Sequence, residues 1–250
     1  MKKDTSWGRV AGWYGEKTGE EKGYQQSLIL PNALRMIGAK KGEIILDLAC
    51  GEGFISRRLS DLGADVYGVD ISPELIAMAR KRAPKAKFSV SPAEDMNYFE
   101  NGFFDKAIMA LAAQNIDDFP AAMKECSRVM RKGGRLILIL NHPCFRIPKN
   151  SSWGFDDQSG IQYRRIDRYL SETREEIDMY PGSDKKEVTF SFHRPLQYYL
   201  KIFSKSGFCV SRLEEWNSGK TSQPGKRAAA ENRARKEIPL FMALECVKMS

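Results

Sequence analysis

Cysteine, histidine and long apolar runs are scarce in this chain, and each shortage excludes some chemistry. The five cysteines, at positions 50, 126, 144, 209 and 246, are odd in number and contain no CxxC pair. Neither a disulfide framework nor a zinc knuckle is indicated, no metal is expected, and most of these thiols are expected in the core. Only two histidines occur, His142 and His193. No apolar run approaches the roughly 18 to 20 residues that cross a bilayer, and Met1-Lys2-Lys3-Asp4 leads into Trp and Gly rather than a signal-peptide core. A cytoplasmic enzyme is the expectation. Internal repeats and low-complexity tracts are absent as well.

At 250 residues, 42% hydrophobic and 29% charged, the chain can bury a full core as one domain, residues 1–250. The net charge of +8 could serve nucleic acid, anionic lipid or an acidic substrate. Basic residues crowd the segment 219–236, where Lys220, Lys226, Arg227, Arg233, Arg235 and Lys236 face a single acid, Glu231. A solvated loop is the plain alternative.

Residues 1–27 set Trp7, Trp13, Tyr14 and Tyr24 among glycines, a pattern for a segment folded over something. A helix interrupted at Pro31 runs to about Ile37 and stops at Gly38, completing an N-terminal lid and helix, 1–38. From Ile44 the strands Ile44–Leu46, Asp65–Asp70, Lys87–Val90, Phe104–Leu111 and Arg135–Leu140 alternate with helices, in a core spanning 43–141. Ser72-Pro73 is a cap and first-turn pair for a helix through Arg82. A helix from about Pro120 to Met130 is closed by Lys132-Gly133-Gly134. Strands apolar on both faces belong in a parallel sheet covered by helices, so the fold class is α/β, doubly wound. The rhythm then breaks over 143–192, where Lys186–Phe192 alternates as a half-exposed strand and Arg164–Met179 offers two more. So long an interruption suggests a cap. Residues 195–250 complete the core with a helix from Pro195 to Ser206 and strands near Phe208–Trp216 and Leu240–Val247.

The stretch Glu43–Gly53, EIILDLACGEG, is a buried strand, a tight turn and a helix start. Its glycines let the backbone approach a ligand, and the helix offers unpaired N–H groups. A dinucleotide fingerprint would put its third glycine at Phe54 and its first at Ala49, so a nicotinamide cofactor is disfavoured. The spacing Asp47, Ala49, Gly51, Gly53 instead sets a carboxylate at the strand end, where it can meet an ammonium group.

In these motifs the chain resembles the class I S-adenosylmethionine-dependent methyltransferases, from about Glu43 to Leu140. The resemblance implies a Rossmann-like, mostly parallel sheet of seven strands, with S-adenosyl-L-methionine as cofactor and S-adenosyl-L-homocysteine as product. It implies that Asp47, Ala49, Gly51, Glu52 and Gly53 cradle the amino-acid part, with Ala49 in place of the usual glycine. Asp70 would hold the ribose hydroxyls, with Ile71 beside the adenine; the alternative for Asp70 is an acid capping the turn into Ser72-Pro73. Pro92 replaces a frequent aspartate, which leaves the adenine amine to Ala93 and Glu94 or Asp95. Ala110, near the end of the fourth strand, lies by the methionine moiety, and Tyr14 joins the cofactor set.

Methyl transfer needs a base only if the acceptor must lose a proton, and His142, just past the fifth strand, and His193 are the candidates. Either could instead be a buried histidine satisfied by a carbonyl. Gln114 and Asn115 follow the fourth strand where acceptor-binding groups occur in the family, or they form a capping turn. Trp153, with Phe155, Tyr163 and Tyr169, suggests a cap over a small-molecule pocket, as in methyltransferases related to the quinone-biosynthesis enzymes. No Asn-Pro-Pro-Tyr-like or Asp-Pro-Pro-Tyr-like segment speaks for adenine methylation. The expected partner is a small or medium organic acceptor. An RNA or ribosome methyltransferase and a non-catalytic S-adenosylmethionine-binding module are the alternatives.

Overall fold

The computed structural model describes residues 23–179 and 187–249. Trp7, Trp13 and Tyr14, and with them most of the expected lid, lie outside the described residues. A π-helical turn, Gln25–Ile29, runs directly into α1 (Leu30–Ile37). Pro31 sits in the first turn of α1, directly after the change from π to α winding, which is the interruption expected at this proline. Gly38 ends α1 with φ 50°. Then β1 (Ile44–Leu48), α2 (Phe54–Asp61), β2 (Asp65–Asp70), α3 (Pro73–Arg82), β3 (Lys87–Val90) and β4 (Phe104–Ala110) alternate. The Ser72 hydroxyl accepts the Leu75 N–H at 3.2 Å, the cap expected for α3.

A single 3-10 turn, Ala113–Asn115, separates β4 from α4 (Phe119–Val129), which leads without a break into β5 (Met130–Asn141). Lys132-Gly133-Gly134 does not close α4. Its pairing with β4 jumps from Phe104–Met130 to Lys106–Arg135, so these residues are looped out of the start of β5. The interruption after β5 holds four strands rather than three: β6 (Ser151–Asp156) pairs with β7 (Ile161–Ile166), and β8 (Thr173–Asp178) with β9 (Val188–His193). Then come α5 (Leu196–Lys205), β10 (Phe208–Trp216), α6 (Ala228–Glu237) and β11 (Phe241–Lys248). The basic segment is therefore half loop and half helix. Of the cysteines, only Cys126 and Cys246 are fully buried, and Cys209 is exposed. Most of the thiols are thus not in the core.

Seven strands make one sheet in the order β10-β11-β5-β4-β1-β2-β3, with β11 antiparallel to both neighbours. Alternation along β5 shows why both faces are covered. Leu136, Leu138 and Leu140 meet Phe119, Met123 and Phe203 from α4 and α5, whereas Ile137 and Ile139 meet Ala33, Ile37 and Leu59 from α1 and α2. The close approach of β2 to β3 requires Gly68, since a Cβ there would stand 2.5 Å from the Phe88 ring. The order reverses at β1, which has β2 on one side and β4 on the other. Ligands of open α/β sheets bind at the carboxyl ends of strands at that point.

Candidate active site

The turn after β1 winds through three residues with positive φ: Ala49 at 57°, Gly51 at 55° and Gly53 at 76°. For Ala49 the left-handed conformation costs about 1 to 2 kcal/mol. Gly53 has a second reason to lack a side chain, because a Cβ would lie 3.0 Å from that of Ala79 and hold α2 off α3. The turn is tied to β2 by backbone and carboxylate alike. Cys50 N–H donates to the Val69 carbonyl at 3.0 Å, and Gly51 N–H to Asp70 Oδ2 at 2.9 Å. The other oxygen of Asp70 accepts the Ser72 N–H at 2.9 Å. Asp70 thus does cap the turn into Ser72-Pro73. A carboxylate has about four acceptor sites, so one N–H on each oxygen leaves room for two hydroxyls.

Asp47 lies deeper, 3% exposed, with the Ser56 hydroxyl donating to Oδ2 at 2.5 Å. Among the described residues no cation comes within salt-bridge distance of it. Burial pushes its carboxyl up to about 6, against the Ser56 hydrogen bond, and the nearby Asp70 adds to the rise. Burial raises Asp70 also, opposed by the backbone N–H groups it accepts. Two buried acids with no counter-charge face a cavity, an arrangement that suits a ligand bearing an ammonium and hydroxyls. Glu52, by contrast, is ion-paired with Arg82 at 2.5 Å, which ties the turn to α3.

The cavity has two adjoining parts. One, of about 460 Å³, is lined by Asp47, Ala49, Gly51, Glu52 and Ala110 together with Gln25. The other, of about 510 Å³, shares Ala49, Gly51 and Ala110 and extends past Asp70 and Ile71 to Asn115. One trough therefore crosses the turn, with Asp47 toward one end and Asp70 toward the other. The resemblance missed Ile29, Phe54, Leu75 and Ile116, which with Leu111 at the end of the fourth motif supply its apolar lining. Only Leu111 carries a mark of its own, a φ of 55° just past β4, and no sequence signal announces it. Ala93 packs against the core, and neither it nor Glu94 lines the trough.

Other expected residues separate. Gln114 turns away from Asn115 into a neighbouring cavity shared with His193. Trp153, 38% exposed on β6, lies under the Arg164 guanidinium and lines neither cavity. His142 is buried with both ring nitrogens engaged: Nε2 lies 2.6 Å from Glu215 Oε1, and Nδ1 accepts the Cys144 N–H at 3.2 Å. No lone pair remains there for a base. His193 Nε2 lies 2.8 Å from the Tyr169 carbonyl, which can only accept, so Nε2 carries the proton and Nδ1 keeps its lone pair. Burial lowers both imidazoles from their ordinary value, which keeps them neutral at pH 7.

The strand order, the reversal at β1 and the glycine turn define the class I S-adenosylmethionine-dependent methyltransferase fold. Residues 46–138 match the family described as a methyltransferase domain. S-adenosyl-L-methionine is the cofactor of this class, and the buried acids and open backbone of the trough fit it.

Among curated proteins, a demethylmenaquinone methyltransferase of Beutenbergia cavernae is 36% identical over 105 residues, 42% of this chain and 43% of that protein. A ubiquinone biosynthesis O-methyltransferase of Xanthomonas oryzae pv. oryzae is 31% identical over 101 residues, 39% of this chain and 42% of the other. The chain thus spans less than half the length of these relatives. Among solved structures, an S-adenosylmethionine-dependent methyltransferase from Mesorhizobium loti superposes with a TM-score of 0.68 at 24% identity, covering 86% of this chain and 96% of that one.

Proposed function

We propose that this chain transfers a methyl group from S-adenosylmethionine to a small or medium organic acceptor, of which quinone precursors are the model suggested by the names of its relatives. The observation that carries the reading is the pair of buried, cation-free acids at the two ends of one trough. The bound cofactor supplies a methyl group on a sulfonium, transferred by in-line displacement. Asp47 holds the ammonium, while Ala49, Gly51 and Gly53 keep the backbone low beneath it. Asp70 accepts the ribose hydroxyls, with Ile71 against the adenine. Ala110 borders the methionine portion, and Asn115 and Gln114 meet the acceptor. His193 takes the acceptor proton through Nδ1, held in place by its Nε2–H bond to Tyr169. Apolar walls at Ile29, Phe54 and Leu111 keep water from the reacting atoms.

Titration calorimetry tests the cofactor and labelled-methyl incorporation into a metabolite extract tests the transfer. S-adenosylhomocysteine should bind, and Asp70→Ala should weaken it by about 1.5 to 3 kcal/mol, the range for a hydrogen bond to a charged group. Unchanged affinity in a folded Asp70→Ala protein would remove the ribose assignment. Binding without any labelled product would favour the non-catalytic module.

A further inference from the structure

The neighbouring cavity holds a charge that methyl transfer does not require. Gln114, Asn141, Arg146, Ser191, His193 and Tyr199 line it. Arg146 stands on the loop after β5, with Nη1 donating to Asn141 Oδ1 at 2.7 Å and its plane 5.0 Å from the centre of the Phe241 ring. Among the described residues no carboxylate comes within salt-bridge distance of it. Arg164, close enough to repel it, is also without a carboxylate; its guanidinium donates to the Phe145 carbonyl at 2.8 Å and to Ser151 Oγ at 2.7 Å. Burial lowers the Arg146 pKa, opposed by the nearby Tyr24 phenol, and Arg164 pushes the same way as burial. A half-buried guanidinium with no carboxylate among the described residues is costly, and an anion in the cavity would offset part of that cost.

Gln114 connects this charge to the trough. Its Nε2 donates at 2.7 Å to the carbonyl of Leu111, which lines the trough, while its Oε1 is buried with no hydrogen-bond partner. An orphaned amide oxygen asks for a donor such as a hydroxyl. His193 Nδ1, with its lone pair, belongs to the same cavity.

We infer that this cavity binds the anionic group of the methyl acceptor, a carboxylate or a phosphate, through Arg146, and that Gln114 Oε1 accepts from a hydroxyl of the same molecule. The acceptor is then a small hydroxylated organic acid or phosphate ester, not a neutral ring. The inference rests on the methyltransferase reading for the word acceptor, but the anion site can be measured apart from it.

The test is calorimetry on the full chain saturated with S-adenosylhomocysteine, using para-hydroxybenzoate, phenyl phosphate and phenol as probes. At least one anion should bind about tenfold or more tightly than phenol, a difference of about 1.4 kcal/mol. Which anion prevails separates carboxylate from phosphate. Arg146→Gln should abolish the preference, Arg146→Lys should keep part of it, and Gln114→Glu should repel both anions. S-adenosylhomocysteine affinity, unchanged in both Arg146 variants, shows that they fold. Equal binding of the three probes, no binding of either anion, or a preference that survives Arg146→Gln would overturn the inference. Anion preference without S-adenosylhomocysteine binding would support the site while removing the methyltransferase reading.

Discussion

Asp47 carries a proton more readily in the folded protein than in the unfolded chain, because burial without a cation raises its carboxyl from 3.8 to about 6. Its contribution to stability is therefore fully present below the unfolded value and is lost as pH rises through the folded one. Urea midpoints of the unliganded protein between about pH 4 and about pH 7 should fall with pH by more in the wild type than in Asp47→Asn. A bound ammonium favours the carboxylate, so S-adenosylhomocysteine affinity should rise over the same window and stay flat in Asp47→Asn. A wild-type affinity indifferent to pH would detach Asp47 from the ammonium. At Ala49 the departure from glycine was legible in the sequence, but the φ of 57° that makes it costly is a property of the turn. Ala49→Gly should stabilise the protein by up to about 1 kcal/mol in denaturant, the relieved strain less the extra freedom of the unfolded chain.

Between elements, Arg194 decides where the end of the interruption sits. It is 4% exposed, and its guanidinium donates to the carbonyls of Ala113 at 3.2 Å, Ile116 at 2.8 Å and Asp117 at 2.7 Å. Those carbonyls belong to the 3-10 turn after β4 and the residues just beyond it, so β9 is pinned beside Gln114 and Asn115. The rings of Phe192 and Tyr198 lie 4.8 and 5.2 Å from the same guanidinium. Arg194→Ala should cost about 2 to 4 kcal/mol, since three charge-assisted bonds leave buried carbonyls behind them. Arg194→Lys should recover little, because a single ammonium lacks the planar fork that reaches three acceptors. Denaturant midpoints check both. In the sequence His193-Arg194-Pro195 drew notice for its histidine alone, because an arginine's partners lie some eighty positions earlier and leave no local pattern.

For the molecule as a whole, the charge of +8 invites a nucleic-acid reading that the basic segment only partly supports. Lys220 lies 4.3 Å from the centre of the Tyr24 ring. Arg227 pairs with Asp157 at 3.2 Å and lies over Phe155 at 4.2 Å, and Arg235 donates to Ser222 Oγ at 3.2 Å. Two of the six cations thus help seat the segment on its surroundings and Arg235 ties it to itself, while Lys226, Arg233 and Lys236 are exposed. Replacing those three by glutamine should leave S-adenosylhomocysteine binding within about twofold, a few tenths of a kcal/mol. RNA binding by the wild type should be no stronger, and no steeper in salt, than that of an unrelated basic protein. Tight RNA binding with a steep salt slope that the triple variant loses would restore the nucleic-acid reading.

The sequence by itself determined the parallel core and the turn after β1, because both rest on local patterns. Apolar runs mark strands buried on two faces, Ser72-Pro73 marks a helix start, and small residues at spacing two after Asp47 mark a turn that bends under a ligand. Strands β2 and β3 and helix α3 accordingly have the bounds expected of them. Only the tertiary structure decided the rest. It separated the two histidines by what their ring nitrogens touch, moved Gln114 and Asn115 into different cavities, and set Arg146 apart from every carboxylate of the described residues. Each of those outcomes depends on groups distant in the chain, whose meeting is set by packing rather than by spacing. The Glu43–Gly53 stretch could therefore announce a ligand-binding turn, while the cavity beside it had to wait for the fold.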